Sequence, residues 1–267
     1  MRLGIIGATG WLGSALGRFV LETRFVAPGD LVLLNRSGPQ LPYHGCSEVI
    51  WAADAADLVA KSDVVVLSVR PADWSPLQLD ARGRLVVSFM AGVEIDALSV
   101  GGGRIVRAMP NAASEIRASY TPWFAAPDVS VADKQVVRGL LSCIGTEDEL
   151  AAERHIDVMT AVPGSGAAYP ALMALAMMEF MRSQNVAEPI ARRAVEGTVC
   201  GGARLLEGRI GEADHIIAAY RDYKGVTAAG IDAAEAAGFP AAVVKALQAA
   251  TQTAARMNKS FAPPKKD

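Results

Sequence analysis

Five apolar runs, at residues 3–6, 31–34, 64–69, 85–89 and 105–108, are interleaved with helical patterns across the first 150 residues. The runs are dominated by Val, Ile and Leu, broken only by single residues such as Ser68, Ser88 and Arg107, and do not alternate with polar residues. That is the pattern of strands covered on both faces. Residues 14–22, 53–60 and 94–98 read as helices between the runs, and 131–143 as a longer helix after them. Strand and helix repeated in this order imply an α/β fold, a doubly wound parallel sheet. From about Ala151 the pattern changes. Residues 167–182, 188–208 (broken near Gly201 and Gly202), 231–238 and 241–257 all read as Ala-rich helices. The expected organisation is therefore a sheet domain over 1–150 and an all-helical domain over 151–267.

The first strand runs into Gly7, Ala8, Thr9, Gly10, Trp11, Leu12 and Gly13. A strand-to-helix turn of this kind, first in an alternating pattern, is where a Rossmann domain receives a dinucleotide pyrophosphate. Glycines admit the phosphates to the backbone, and the following helix aims its free N–H groups at them. The spacing is G-x-x-G-x-x-G, with Thr9 where the second glycine of G-x-G-x-x-G usually stands. The second strand ends in Asn35, Arg36 and Ser37. NAD enzymes place an acid here for the ribose 2′-hydroxyl, whereas an arginine can fork onto a 2′-phosphate. The expected cofactor is NADP(H). Later strands end in Ser68, Val69, Arg70 and Pro71, in Met90, Ala91 and Gly92, and in Met109, Pro110 and Asn111. Three such turns on one sheet edge form a crevice. Arg70 is a candidate phosphate contact, and the Asn111 amide a candidate for nicotinamide or substrate.

The rest of the composition narrows the partners. A formal net charge of −2 offers no polyanion-binding surface, so nucleic acid is not expected. Three widely spaced cysteines (Cys46, Cys143, Cys200) and three histidines match neither a disulfide framework nor a metal site. The N-terminus lacks a signal-peptide layout. The Ala-rich run over 167–178 ends at Glu179, too short to span a bilayer, so a cytoplasmic protein with no membrane partner is expected. Lys265 and Lys266 read as a frayed end. Met173, Met177, Met178 and Met181 recur at helical spacing. So apolar a helix needs burial that a small helical domain cannot supply by itself, which points to a homodimer or larger homo-oligomer.

Several of these segments together resemble the pyrroline-5-carboxylate reductase family. Residues 66–71 resemble its apolar strand followed by V-K-P, and 87–93 its S-x-x-A-G-V turn. Arg107, Ala108, Met109, Pro110 and Asn111 match R-x-M-P-N. Residues 160–169 (TAVPGSGAAY) resemble T-A-L-S-G-S-G-P-A-Y, where the family's helical dimerisation domain begins. The resemblance implies hydride transfer from NADPH to a cyclic imine, giving proline. It departs at the substrate loop. The family's S-P-G-G-T-T is here Asp222, Tyr223, Lys224, Gly225, Val226, Thr227, so only Gly225 and Thr227 are kept. Pro163 and Ala167 also depart, standing where the family has Ser and Pro. Thr227 falls on the threonine used near the imine, while Asp222 replaces a serine that helps hold the substrate carboxylate.

A protonated imine is already an electrophile and asks little of the protein's acids and bases, which suits a chain with few histidines. A ketone would want a proton donor, a part that Lys224 or Tyr223 could take. Ser165 and Thr227 are candidates to hydrogen-bond the substrate. Gly164 and Gly166 would bring backbone N–H groups close to its carboxylate. The loop leaves open a reductase of another small imine or keto acid, or a nucleotide-responsive protein without turnover.

Overall fold

The computed structural model describes residues 1–261. Every apolar run becomes a strand whose residues are almost all buried: β1 (Leu3–Ile6), β2 (Leu31–Leu34), β4 (Val64–Leu67), β5 (Leu85–Ser88) and β6 (Arg104–Ala108). Helices α1 (Trp11–Glu22), α2 (Ala55–Lys61), α3 (Ile95–Leu98) and α4 (Val131–Ser142) follow the expected segments within a few residues. The eight-stranded sheet has the order β3-β2-β1-β4-β5-β6-β7-β8. From β1 the chain winds outward through β2 to β3 (Ile50–Trp51), then returns to β4 on the other side of β1. This reversal opens a crevice beyond the carboxyl ends of β1, β2 and β4, the usual ligand position in an open α/β sheet. Parallel register sets those ends level, with Ile6 opposite both Leu34 and Leu67.

The far edge is not purely parallel. Strand β7 (Ser119–Ala125) runs antiparallel to β6, and β8 (Gly145–Glu149) runs parallel to β7. The sequence hides both. Pro122 sits inside β7, and β8 reads GTEDE with no apolar residue. Charged side chains suit an edge strand, and α4 answers them: Lys134 pairs with Glu149, and Arg138 pairs with Glu147 and Glu149. Buried Trp123 donates its indole N–H to Glu147 at 2.6 Å, and the Arg138 guanidinium lies 5.2 Å from its ring. Helix α4 itself opens with a capping box between Ser130 and Asp133, and Asp133 also takes a forked pair from Arg104 at 2.7 and 2.9 Å.

Two compact units emerge: residues 1–165 with 249 onward, and residues 166–248. In the first, Arg107 on β6 is buried and donates to Glu153 at 2.8 Å, and Glu153 also accepts the Ile95 N–H at 2.8 Å. Asp157, in helix α5 (His155–Met159), accepts from Asn258 at 2.9 Å. Asn258 belongs to the last helix, α11 (Phe239–Phe261). Burial pushes the Asp157 carboxyl above its ordinary range. Between α5 and the next helix, residues Thr160–Gly164 form a π-type turn around Pro163.

The second unit contains α6 (Ala168–Ser183), α7 (Glu188–Glu196), a π-type turn at Gly197–Gly201, α8 (Gly202–Arg204), α9 (Ala213–Asp222) and α10 (Val226–Ala236). The predicted 188–208 helix is thus divided near its glycines, 231–238 is the end of a longer α10, and α9 lay outside the sequence reading. No residue of α6 is buried within one chain, and Leu172, Leu175 and Phe180 are exposed. The helical stretch His155–Ser183 is longer than the predicted 167–182, and by length and composition alone it could cross a membrane. This corrects the expectation that no stretch is long enough. The added residues come from α5 and the π-type turn around Pro163, which continue the helical backbone N-terminal to residue 167. Lys265 and Lys266 lie outside the described residues.

Candidate nucleotide-binding and active site

The turn after β1 is fixed by close backbone approach. Gly7 has φ +87°, and a Cβ built on it would sit 2.1 Å from the Ser68 carbonyl oxygen. A Cβ on Gly13 would sit 2.2 Å from the Gly7 carbonyl oxygen. No side chain larger than hydrogen fits at either position, so the β1 turn, the β4 loop and α1 meet backbone to backbone. Gly10 is the N-cap of α1 and supplies no side chain to cap it, and the first turn of the helix carries no acid. Trp11, Leu12 and Gly13 open the helix, so their N–H groups have no carbonyl partner within it. This is a cradle for an anion. Tyr43 braces it from behind: its buried hydroxyl donates to the Ala8 carbonyl at 2.8 Å, and burial pushes its phenol pKa up.

In front of the cradle lies a cleft of about 600 Å³. Gly7, Gly10, Asn35, Arg36, Val69 and Arg70 all line it, so six of the residues singled out in the sequence converge on one space. Asn35 donates to the Ser37 hydroxyl, which sets the β2 end as a small polar shelf. Pro71 opens a 3-10 turn, Pro71–Asp73, below Arg70. Thr9 and Trp11 face a second hollow on the other flank of α1, with Ser14, Arg18, His44 and Glu115, while Leu12 packs on the core.

Other expected residues are placed apart from the cleft. Ala91 and Gly92 form the turn after β5, where Gly92 lies so near Met257 that an added Cβ would be 2.3 Å from the Met257 Cβ. Asn111 caps the 3-10 turn Ala112–Ile116: its Oδ1 accepts from the Ala113 N–H at 2.9 Å, and its amide donates to the Tyr120 carbonyl at 3.5 Å. The Asn111 amide is therefore engaged in holding the loop after β6. Gly164 ends the π-type turn beside Met109, and the Ser165 hydroxyl donates to the Thr160 carbonyl at 3.0 Å. Gly166 begins the second unit. Lys224 and Thr227 belong to that unit too, at the α9–α10 connection, and both are exposed within the chain. Lys224 has φ +53°. It thus takes a left-handed conformation at a position where the family loop has glycine.

Asp73 is a charged lining residue not expected from the sequence. It accepts from Arg70 Nε at 3.0 Å and Nη2 at 3.3 Å, and lies 3.8 Å from Arg36 Nη1. The Arg70 hydrogen bonds hold its carboxyl below the ordinary range. The available signal was local: an acid three residues after an arginine, across a proline that opens a turn.

This geometry has counterparts among known proteins. Residues 153–257 match the family model described as pyrroline-5-carboxylate reductase dimerisation. A pyrroline-5-carboxylate reductase of Pseudomonas aeruginosa is 33% identical over 210 residues, covering 76% of this chain and 77% of that protein. Pyrroline-5-carboxylate reductase 2 of Bacillus subtilis is 25% identical over 271 residues, covering 98% and 96%. Among solved structures, the Plasmodium falciparum pyrroline carboxylate reductase with NADP bound shares the fold at a TM-score of 0.85 and 21% identity, covering 97% of this chain and 98% of that one. The Coxiella burnetii pyrroline-5-carboxylate reductase superposes at 0.81 with 25% identity, covering 98% and 99%. With both its sheet domain and its helical segment accounted for, the chain belongs to the pyrroline-5-carboxylate reductase family.

Proposed function

We propose that the protein is an NADPH-dependent reductase that converts 1-pyrroline-5-carboxylate to L-proline. The observation that carries this reading is the cleft at the strand ends, where the glycine cradle and two arginines meet, in a chain of this family. The cleft suits NADP(H). The close approach at Gly7 and Gly13 leaves backbone N–H groups to receive the pyrophosphate, and Arg36 stands at the end of β2 where a 2′-phosphate belongs. When bound, the dihydronicotinamide supplies the hydride.

The chain's own part is binding and alignment. Gly7, Thr9, Gly10, Trp11 and Leu12 hold the pyrophosphate through their backbone, while the Thr9 and Trp11 side chains face the second hollow and Leu12 packs on the core. Asn35, Arg36 and Ser37 hold the adenosine end. Val69 and Arg70 line the cleft toward the nicotinamide, Pro71 sets the turn that follows them, Ala91 and Gly92 are assigned to the next strand-end turn beyond it, and Asn111 keeps the neighbouring loop in place. Gly164, Ser165 and Gly166 are assigned to the substrate carboxylate through their backbone N–H groups, in a turn held by the Ser165 hydroxyl on the Thr160 carbonyl, and Thr227 is assigned to the imine. Lys224 supplies the positive charge that compensates for Asp222 at the serine position. A protonated C=N needs no further acid, so orientation does most of the work.

We further propose, as a functional division, a cofactor domain at 1–150 and a helical substrate and dimerisation domain at 151–267; by compactness 151–165 and 249 onward group with the sheet. The exposed apolar faces of α6 are assigned to a homodimer or larger homo-oligomer and not to lipid. A cytoplasmic location without nucleic-acid partners fits the three free cysteines and the slight negative charge. The altered loop favours one second reading, an NADPH-dependent reductase of a different small imine or keto acid.

Steady-state kinetics separate the two readings. Pyrroline-5-carboxylate should give the highest kcat/KM in a panel of cyclic imines and keto acids. Lys224→Met should raise KM for the carboxylate substrate severalfold and change kcat little. A higher kcat/KM for an uncharged or amine-bearing substrate, with KM for pyrroline-5-carboxylate indifferent to Lys224, would establish the second reading.

A further inference from the structure

The cleft holds an acid seated between the two arginines expected to meet cofactor phosphate. Asp73 is not a side chain that happens to swing past. Pro71 opens its turn, its own N–H donates to the Arg70 carbonyl at 2.9 Å, and its carboxylate is forked by Arg70. Arg36, by contrast, has a side chain 84% exposed, and among the described residues its one ion pair is the 3.8 Å contact with Asp73. The fixed partner is the acid and the adjustable one is Arg36.

We infer that Asp73 is a specificity-determining residue that competes with the cofactor 2′-phosphate for Arg36 and so narrows the preference for NADPH over NADH. The inference rests on the reductase reading above and deepens it. Two guanidinium charges and one carboxylate leave this corner with a single net positive charge. A 2′-phosphate brings a charge of about −1.5 to −2. With Asp73 ionised, the occupied corner is therefore net negative, and without it nearly neutral. A ribose 2′-hydroxyl meets the opposite situation, since it can donate to the carboxylate. Acids that bind this hydroxyl usually stand at the end of the second strand. Here the acid reaches the neighbourhood of Arg36 from the β4 loop, while the second strand keeps its arginine.

The test uses the full chain and needs no turnover. NADPH and NADH are titrated by nicotinamide fluorescence into wild type, Asp73→Asn, Arg36→Ala and the double variant, at low and at high salt. Asp73→Asn should tighten NADPH about three- to tenfold at low salt and leave NADH unchanged or weaker. The gain should shrink at high salt and in the Arg36→Ala background, because it is electrostatic and acts through Arg36. NADPH binding that is unchanged or weakened in Asp73→Asn overturns the inference, since Asp73 would then be orienting Arg70 for the phosphate. A gain that persists at high salt overturns it as well. In either case wild type still binds NADPH, so the reductase reading stands. Wild type that binds neither nucleotide would overturn both.

Discussion

At the scale of single side chains, Arg36 is the residue proposed to set the cofactor preference, from its place in the lining of the cleft. Its exposure means that a phosphate must gather it in, and that gain is what a truncation removes. A charge-assisted hydrogen bond contributes about 1.5–3 kcal/mol, and the lower end suits so exposed a group. Arg36→Ala should therefore weaken NADPH roughly tenfold and leave NADH nearly unaffected in the same titration. Equal weakening of both would remove Arg36 from the 2′-phosphate site. Much of this corner was legible in the sequence, because Arg36 follows the last apolar residue of a strand and strand ends face the ligand. Asp73 was not legible. Its importance comes from the turn at Pro71, which carries a carboxylate back toward an arginine 37 positions earlier. Asn111 was legible as a residue at the right edge, yet its amide is taken up by capping, a role that depends on the turn after it.

At the scale of elements, continuous apolar runs announced the buried strands, because cover on both faces leaves no room for alternation. The edge escaped for the opposite reason. Strand β8 is held by charge, with its acids paired to Lys134 and Arg138, and β7 contains a proline. Helix α4 joins this charged edge to the sheet through Asp133, whose carboxyl the Arg104 fork and the Ser130 cap hold down at about 2. A carboxyl lowered in the folded state adds stability above its unfolded value, near 3.9, and that contribution is lost as pH falls toward the folded value. Asp133→Asn should consequently lower the urea midpoint at pH 7. The gap from wild type should close between pH 4 and about 2. A gap that is constant with pH would mean that the cap geometry matters and the ion pair does not.

For the whole molecule, the helical half poses a burial problem that one chain leaves unsolved. Helix α6 is strongly apolar and has no buried residue, and Leu172, Leu175 and Phe180 stand open. Apolar surface on this scale calls for a partner, and the match to the family's dimerisation model supplies its kind, a second copy. Light scattering at micromolar concentration should give a dimer or a multiple of it. Leu172→Glu together with Phe180→Glu should shift the mass toward monomer, and a wild-type monomer would contradict the assignment. The same sequence features that made the fold readable leave the substrate less so, because the loop from Asp222 to Val226 departs from the family pattern while Thr227 is kept. Imine reduction by NADPH is the activity to be measured. Purified protein should oxidise NADPH on addition of pyrroline-5-carboxylate and form one proline for each NADPH consumed. NADPH that binds but is not oxidised, or is oxidised without proline appearing, would contradict it.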